Sequence, residues 1–327
     1  MFNGNTVTYF PPFILRNGHF QSIYPSLFRK VPSIPCVRER IDTPDGDFLD
    51  IDWSINNNKR LVILSHGLEG HSRRPYIMGM AKYAQEHKWD SLSWNFRGCS
   101  DTPNHHPHSY HSGKTEDLAL VIAHALKQGY IEIALIGFSI GGNKTLLHLG
   151  RNSKALPKEV IAAVGISVPC DLTSCSRHLA QLSHKLYMQN FLKSFKLKLE
   201  EKQSRFPDII NIKDFHKLKN FKDYDQRYTA PLNGFKSAEQ YWEESSCLFY
   251  LNKIKVPCLI LNALDDPFLP DECYPVDYVA KNPNLVLEMP KYGGHVGFMP
   301  ENRSLPYFSE RRAIQFINKF SNQTESV

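Results

Sequence analysis

Short apolar runs alternate with segments of helical periodicity along most of this chain. Six runs have the length and character of buried strands: LVILSHG (61–67), DSLSWNF (90–96), IEIALIGFS (131–139), VIAAVGISVP (160–169), VPCLILNA (256–263) and NLVLEMP (284–290). Their continuous apolar character indicates parallel strands that are covered on both faces, with helices making right-handed crossovers between them. The sequence therefore predicts an α/β protein with a mostly parallel, doubly wound sheet.

Local signals place other elements around these runs. Residues 37–52 alternate in polarity around a Pro-Asp-Gly turn at 44–46, which predicts a β-hairpin. Pro75 suits the first turn of a helix that follows the first run. The segment 118–126 carries an apolar stripe with a period of about 3.6 residues, which predicts an amphipathic helix.

One long interval breaks the alternation. From about Leu172 to Ser246 the sequence is amphipathic and rich in lysine and aromatic residues, and it has no run of the buried-strand type. A loop of this length without structure of its own is uncommon, so we predict an inserted helical cap over the carboxyl edge of the sheet. The predicted organisation is a first core segment at 1–171, the cap at 172–246 and a second core segment at 247–327.

Composition excludes several classes of protein. Hydrophobic residues make up 42% of the 327 residues and charged residues 22%, which is ordinary for a globular chain. No apolar run approaches the ~18 residues of a membrane span, and no signal peptide is recognisable, so we expect a cytoplasmic protein. The seven cysteines are scattered and include no CxxC pair, so we expect free thiols that are mostly buried.

The net charge is +6, and much of the excess lies between Lys185 and Lys222. A basic segment with aromatic residues is a candidate for contact with nucleic acid or with anionic lipid headgroups. Because no nucleic-acid motif accompanies the charge, we expect a solvated helical face and no nucleic-acid partner. A transient contact of the basic cap with a membrane surface stays open, as does the oligomeric state. The lysines of this basic segment include Lys193, Lys196, Lys198 and Lys202.

The segment GFSIGG (137–142) lies directly after one predicted strand and before a predicted helix. A GxSxG turn in that context is a nucleophile elbow, whose strained backbone lifts the serine hydroxyl out of the sheet. The same turn places the N–H of Ile140 at a helix N-terminus, where the helix dipole favours an oxyanion. Ser139 is therefore the predicted nucleophile and Ile140 one donor of the oxyanion hole.

A nucleophilic serine needs a base and a residue that orients the base. In a doubly wound sheet these follow at later strand ends in the order Ser, Asp, His. His295 stands in a glycine-rich loop after the last run, and Asp265 and Asp266 both follow the run before it. We choose Asp266 as the orienting acid because it stands four residues before Pro270, an arrangement common in this class of fold. Asp265 is then a turn or capping carboxylate.

A second oxyanion donor is expected from the loop after the first run, where the turn at 65–70 can aim the N–H of Leu68 inward. We expect His66 of that loop to be structural. The histidine-rich tract NHHPHSYH (104–111) is interpreted as a surface loop broken by proline, and no metal site is predicted. Four aromatic residues of the cap are candidates for lining an acyl pocket, with packing inside the cap as an equal alternative: Phe191, Phe195, Tyr241 and Trp242.

Seven motifs occur together in this chain: HGLEGHSRRPY, NFRGCSDTPN, SYHSGKTEDL, GFSIGGN, YTAPLNGFKSAEQYW, NALDDPFLP and GGHVGF. Together they resemble the YheT-like α/β-hydrolases, which are similar to the eukaryotic abhydrolase-domain lipases and the yeast medium-chain ethyl ester synthases. The resemblance extends from Pro11 to the region around Phe298. It implies an α/β-hydrolase fold with an inserted cap, and it implies no cofactor.

The resemblance further implies a triad of Ser139, Asp266 and His295 and either hydrolysis of a carboxylic ester or acyl transfer. The sequence departs from the family pattern outside the triad motifs. Asp101 stands where glycine is common after RGCS, and two polar residues replace apolar ones on the helix after the elbow. These polar residues are Lys144 and Thr145.

We therefore predict a serine carboxylesterase that acts on small-molecule esters with short to medium acyl chains. An acyltransferase, in which an alcohol replaces water at deacylation, would use the same triad, and only product analysis with added alcohol separates the two. A binding protein on a hydrolase scaffold is the alternative from another class, because fold alone does not guarantee activity. Failure of Ser139 to react with a fluorophosphonate would favour that alternative.

Overall fold

The computed structural model describes residues 9–32, 34–302 and 305–322. Within these ranges the strands are β1 (Val37–Asp42), β2 (Phe48–Ser54), β3 (Arg60–Ser65), β4 (Asp90–Trp94), β5 (Glu132–Phe138), β6 (Val160–Ile166), β7 (Cys258–Leu261) and β8 (Leu285–Glu288). They form one sheet in the order β1-β2-β4-β3-β5-β6-β7-β8. β2 pairs with β1 and β4 in antiparallel orientation, and all other pairs are parallel.

Each of the six apolar runs contains one strand of the parallel part of the sheet, so that prediction is confirmed. The hairpin of β1 and β2 is confirmed as well. Its turn closes with a hydrogen bond of 2.9 Å from the N–H of Thr43 to the carbonyl of Asp47. Gly46 adopts φ +78°, a left-handed conformation that glycine tolerates without strain.

Helices cover both faces of the sheet. Their bounds are α1 (Gly18–Phe28), α2 (Pro75–Glu86), α3 (Glu116–Lys127), α4 (Ile140–Arg151), α5 (Leu172–Leu179), α6 (Lys185–Arg205), α7 (Phe221–Tyr224), α8 (Ala230–Leu232), α9 (Ala238–Ser245), α10 (Val276–Lys281) and α11 (Phe308–Asn318). Side chains of α3 and α4 pack in one core cluster, and those of α2 and α11 pack in a second cluster on the opposite face. The doubly wound arrangement is confirmed.

The interval predicted as an insertion is helical. Between Leu172 and Ser245, all of which the structure describes, the chain forms α5 to α9 and no strand. A π-helical turn at Asp225–Thr229 joins two of the helices. The interval has an apolar cluster of its own, whose buried members are Leu179, Met188, Leu192, Phe195, Leu199, Ile210, Phe215 and Tyr228.

The expected solvated face of α6 is wrong for Lys202, and Lys198 is only partly exposed. Lys202 is only 3% exposed, and its Nζ donates to Asn104 Oδ1 at 2.8 Å. Burial lowers the pKa of this ammonium group to about 8. Lys198 Nζ lies 2.9 Å from Glu69 Oε1. These two side chains reach inward because they stand on the face of α6 that packs on the core, while the outer face carries exposed lysines such as Lys193 and Lys196.

The cysteines agree with the prediction of free, mostly buried thiols. All seven are free, and only Cys36 is exposed.

The histidine-rich tract packs against the hairpin. The ring nitrogens of His105 and His106 donate to carbonyl oxygens of the hairpin turn, at 3.0 and 2.7 Å. Within the described ranges, no cluster of three or more side chains suited to a metal ion occurs. No described helix combines the length and apolar character needed to cross a bilayer.

Candidate active site

Ser139 lies at the sharp turn between β5 and α4, with φ +53° and ψ −123°. Such a backbone conformation is strained for any residue with a side chain. The flanking glycines let the turn close this tightly. A Cβ at Gly137 would lie 2.3 Å from the carbonyl oxygen of Gly141, and a Cβ at Gly141 would lie 2.3 Å from that of Ser65. The elbow therefore requires hydrogen as the side chain at both positions.

Three side chains from three different loops form a continuous chain of hydrogen bonds. Ser139 Oγ lies 2.8 Å from His295 Nε2, and His295 Nδ1 lies 2.9 Å from Asp266 Oδ2. Because a carboxylate can only accept, Nδ1 carries the proton and Nε2 is left to accept from the serine hydroxyl. The carboxylate of Asp266 is fully buried and also accepts the N–H of Phe268 at 2.9 Å.

The neighbouring carboxylate of Asp265 has a different partner. Its Oδ1 accepts the N–H of Gly294 at 2.8 Å. Its Oδ2 is buried and has no hydrogen-bond partner within the described part of the chain. Burial raises the pKa of this carboxyl group. The structure thus brings Asp266 to the ring of His295, whereas Asp265 braces the loop beside it.

The loop that carries His295 is held from several directions. Ser22 of α1 accepts the N–H of His295 at 2.7 Å, and Ser167, which follows β6, accepts the N–H of Val296 at 2.9 Å. The ring of Phe268 stacks on the imidazole with 4.3 Å between ring centroids. Sequence reasoning missed both serines, because a hydroxyl that accepts a distant backbone amide leaves no local pattern.

The two predicted oxyanion donors, Leu68 and Ile140, come from two different elements and line the cavity together with Ser139. Ile140 is the first residue of α4, so its N–H has no acceptor within the helix. Leu68 lies in the loop after β3. Both residues line the same cavity as Ser139 and His295. An oxygen atom bound there would meet the positive end of the α4 dipole.

Two tyrosines fix the loop around Leu68. The hydroxyl of Tyr76 accepts the N–H of Gly67 at 2.9 Å, and that of Tyr110 accepts the N–H of Glu69 at 2.9 Å. Glu69 adopts φ +53°, which turns the chain sharply after Leu68. The amides on either side of Leu68 are thereby tied down. The sequence offered no signal for these tyrosines, since both contacts join residues from separate elements.

His66 has the structural role expected for it. The side chain is fully buried, and its Nε2 accepts the N–H of Phe96 at 3.1 Å. Its Nδ1 therefore carries the proton and donates to the carbonyl of Gly67 at 2.8 Å. Burial lowers the pKa of His66 to about 3, which keeps the ring neutral at physiological pH.

A cavity of about 640 Å³ opens over the serine and the histidine. All four aromatic residues considered for an acyl pocket line it, and they pack in the apolar clusters of the helical interval as well. Tyr241 donates to Ser112 Oγ at 2.8 Å, and Trp242 donates to Asp225 Oδ2 at 2.8 Å. These bonds hold the polar ends of two of the rings that line the cavity. The four aromatic residues that line the cavity are Phe191, Phe195, Tyr241 and Trp242.

The three residues that differ from the family pattern each form a hydrogen bond or an ion pair with another part of the protein. Lys144 is fully buried, and its Nζ donates to the carbonyls of His111 and Lys114 at 3.1 and 2.9 Å. Burial lowers the pKa of Lys144 to about 8. The hydroxyl of Thr145 donates to a carbonyl one turn earlier at 2.8 Å, and Asp101 pairs with an arginine of β1 at 2.6 Å. Each departure thus has a structural partner.

Known proteins resemble this chain over most of its length. A family model described as the alpha/beta hydrolase fold matches residues 60–301. The protein YheT of Escherichia coli (strain K12), an esterase by name, is 33% identical over 290 residues, which are 86% of this chain and 84% of that one. The mouse protein named phospholipase ABHD3 is 29% identical over 306 residues, with 90% and 74% of the two chains covered.

Solved structures agree with the fold. The esterase Pf2001 of Pyrococcus furiosus superposes with a TM-score of 0.60 at 20% identity, covering 89% of this chain and 95% of that one. Likeness at this identity concerns the fold alone. The family model spans well over half of the chain, and the similarity to YheT extends across most of both proteins. The chain therefore belongs to the α/β-hydrolase family.

Proposed function

We propose that this hydrolase cleaves carboxylic esters with short to medium acyl chains, using Ser139 as nucleophile and forming an acyl-enzyme. The observation that carries the proposal is the hydrogen-bonded series Asp266–His295–Ser139 at the floor of an apolar cavity. The names of relatives as esterase and phospholipase support an ester as the substrate. No step of the mechanism requires a cofactor.

Acylation begins when Ser139 Oγ attacks the carbonyl carbon of the ester and His295 Nε2 takes the serine proton. Asp266 holds the imidazole in the Nδ1–H tautomer and stabilises the imidazolium that forms. The amides of Leu68 and Ile140 donate to the oxyanion of the tetrahedral intermediate. Removal of one such donor typically costs on the order of 100-fold or more in turnover. His295 then gives its proton to the leaving alcohol as the ester bond breaks.

Deacylation repeats the same steps with water as the nucleophile. His295 takes a proton from water, the hydroxide attacks the acyl carbon, and the second tetrahedral intermediate releases the carboxylic acid. Ser139 regains its proton from His295, which restores the resting enzyme. If an alcohol attacked the acyl-enzyme in place of water, the same residues would produce a new ester. Hydrolysis and acyl transfer therefore differ only in the molecule that accepts the acyl group.

The acyl chain of the substrate is proposed to lie against the aromatic rings of the helical interval. Phe191 of α6 contacts the ring of Phe268, with 6.0 Å between centroids, and Phe268 in turn stacks on His295. This series of rings leads from the imidazole into the cavity. We propose that residues 172–246 act as a cap over core segments 1–171 and 247–327, because their aromatic side chains cover the nucleophile.

A rate series on p-nitrophenyl esters from acetate to laurate tests the proposal, with Ser139→Ala as the blank. We expect a maximum at short to medium chain length and a loss of at least about 1000-fold in the variant. Circular dichroism of the variant controls for folding. Equal rates in the two proteins would contradict the proposal.

Labelling and product analysis separate the remaining alternatives. We expect a fluorophosphonate to label the wild-type protein stoichiometrically and the Ser139→Ala variant not at all. Failure to label the wild type would favour a binding protein on the same scaffold. With ethanol added, a hydrolase releases mainly free acid, whereas an acyltransferase releases mainly the ethyl ester.

A further inference from the structure

The outer face of α1 carries a row of exposed apolar side chains. Phe20, Tyr24 and Phe28 stack along the helix, with ring centroids 5.1 Å apart in each successive pair. Phe28 is 62% exposed, and in the turn just before α1 Phe13 and Ile14 are 87% and 79% exposed. A contiguous apolar surface of this kind commonly marks a site of interaction.

This helix forms one rim of the mouth of the active-site cavity. Ile23 and Leu27 line the cavity although they are 44% and 68% exposed. On the opposite rim Leu186 of α6 also lines the cavity and is 81% exposed. A hydrogen bond of 3.0 Å between His19 and Tyr187 joins the two rims. The cavity therefore opens between two exposed apolar surfaces.

The charged residues of the two rim segments are all basic. Segments 9–32 and 172–199, which include the two rims, contain eight Lys and Arg residues and no Asp or Glu. Two of the eight, Arg29 and Lys198, pair with Glu310 and Glu69. The whole chain has a net charge of +6, so the rest of the protein is net negative. Apolar side chains beside cations are typical of surfaces that bind anionic lipids. The exposed cations are Arg16, Lys30, Arg177, Lys185, Lys193 and Lys196.

α1 also contacts the loop of the triad histidine. Ser22, on the inner face of α1, accepts the N–H of His295 at 2.7 Å. Gly294 packs so closely on α1 that a Cβ there would lie 2.4 Å from the carbonyl oxygen of Gly18. The helix that carries the exposed aromatic row is thus the same helix that positions His295.

We propose that α1 and the start of α6 dock on an anionic lipid membrane, with the cavity mouth turned toward the acyl chains. The apolar side chains enter the boundary between headgroups and acyl chains, and the surrounding lysines and arginines contact the headgroup anions. An ester then passes between the two rims to Ser139 without crossing water. This inference rests on the proposed esterase function, because it names the surface from which the substrate comes.

Flotation with vesicles tests the docking. Vesicles of phosphatidylcholine, with or without roughly a third of phosphatidylserine, are mixed with the wild-type protein and with a double variant, Phe13→Glu and Phe28→Glu. Neither changed residue lines the cavity. The matched control is Ile131→Glu, because Ile131 is 55% exposed and precedes β5, at the opposite end of the strand from Ser139.

We expect the wild type and Ile131→Glu to float with the anionic vesicles and the double variant to bind them at least about tenfold more weakly. All three proteins should hydrolyse dissolved p-nitrophenyl butyrate within about twofold of one another, which also shows that they are folded. A second pair of changes, Lys185→Glu and Lys193→Glu, should weaken binding only to the vesicles that contain phosphatidylserine. Added salt should weaken wild-type binding in the same way.

The docking proposal is overturned if the wild type fails to float or if the double variant floats as well as the wild type. A wild-type dimer that becomes monomeric in the double variant, with no vesicle binding by either, would assign the face to a second copy instead. Failure of the esterase proposal would give a different result. The wild type and Ser139→Ala would then cleave dissolved esters at equal rates, independently of the outcome of the flotation experiment.

Discussion

Asp265 and Asp266 are adjacent in sequence, yet their carboxylates face different partners. Asp266 contacts the ring of His295, and Asp265 accepts an amide of the neighbouring loop at Gly294. Both residues lie in a turn after β7, in which the N–H of Asp266 donates to the carbonyl of Ala263 at 3.2 Å, so their side chains leave the chain in different directions. We therefore expect the two residues to have separate roles: Asp266 orients His295 as the base, and Asp265 holds the loop in which His295 stands.

Exchange of each aspartate for asparagine distinguishes these roles. In Asp266→Asn the amide can favour the wrong tautomer of His295, so we expect kcat to fall by about 1000- to 10,000-fold. Asp265→Asn keeps an oxygen that accepts the N–H of Gly294, so we expect a loss below about tenfold. Steady-state kinetics on p-nitrophenyl butyrate measure both. A larger loss at Asp265 would mean that the orienting acid is misassigned.

At the scale of single elements, the elbow depends on close contact between α4 and β3. A methyl group at Gly141 would meet the carbonyl oxygens of Ser65 and His66 at 2.3 and 2.4 Å. Neither atom can move without displacing the strand end or the loop that carries Leu68. The position of the nucleophile and the position of the oxyanion loop are therefore linked through one glycine.

Gly141→Ala tests this link. We expect the variant to lose about 2 kcal/mol in the free energy of unfolding, because the methyl group overpacks the contact. We also expect it to lose more than about tenfold in esterase activity, since a displaced elbow misplaces the serine. Gly129→Ala is the control, because Gly129 has φ +85° but open space around it, so only about 1 kcal/mol should be lost. Urea unfolding measures the stability of both variants. If Gly141→Ala were as stable as Gly129→Ala, the close contact at Gly141 would be refuted.

At the scale of the whole molecule, buried neutral histidines make stability depend on pH. Burial lowers the pKa of His66 to about 3 and that of His148 to about 4. The unfolded chain binds protons at these rings below about pH 6.5, whereas the folded chain does so only near those lower values. The unfolded state therefore gains protons first, and the folded protein loses stability as the pH falls from about 6.5 toward 4.

His148→Gln isolates one such contribution, because glutamine keeps hydrogen-bonding groups but does not titrate. His148 is 3% exposed, so solvent screens the effect little. Between pH 7.5 and pH 5 we expect the variant to lose roughly 2 kcal/mol less stability than the wild type. Urea unfolding at the two pH values measures the difference. The same loss in both proteins would show that this ring is protonated in the folded state at pH 5.

Local patterns along the chain were enough to predict the class of fold and to name the candidate reacting groups. Alternating apolar runs specify strands and helices, and the residue types in GFSIGG specify the turn at Ser139, because these signals act between residues close in the chain. His295 was found in the same way, from its position after a strand. Choosing between Asp265 and Asp266 needed a family pattern as well, since both follow the same strand.

Contacts between distant parts of the chain decide how the candidate groups are held and where the cavity over them opens. Ser22 contacts the amide of His295 across 273 residues of sequence, and no local pattern marks that contact. No local pattern marks three other features either: the burial of Lys202, the tyrosine hydrogen bonds around Leu68 and the position of α1 at the cavity mouth. The physical reason is that burial and contact depend on which distant surfaces meet, and a pattern along one segment encodes only the face that the segment itself presents.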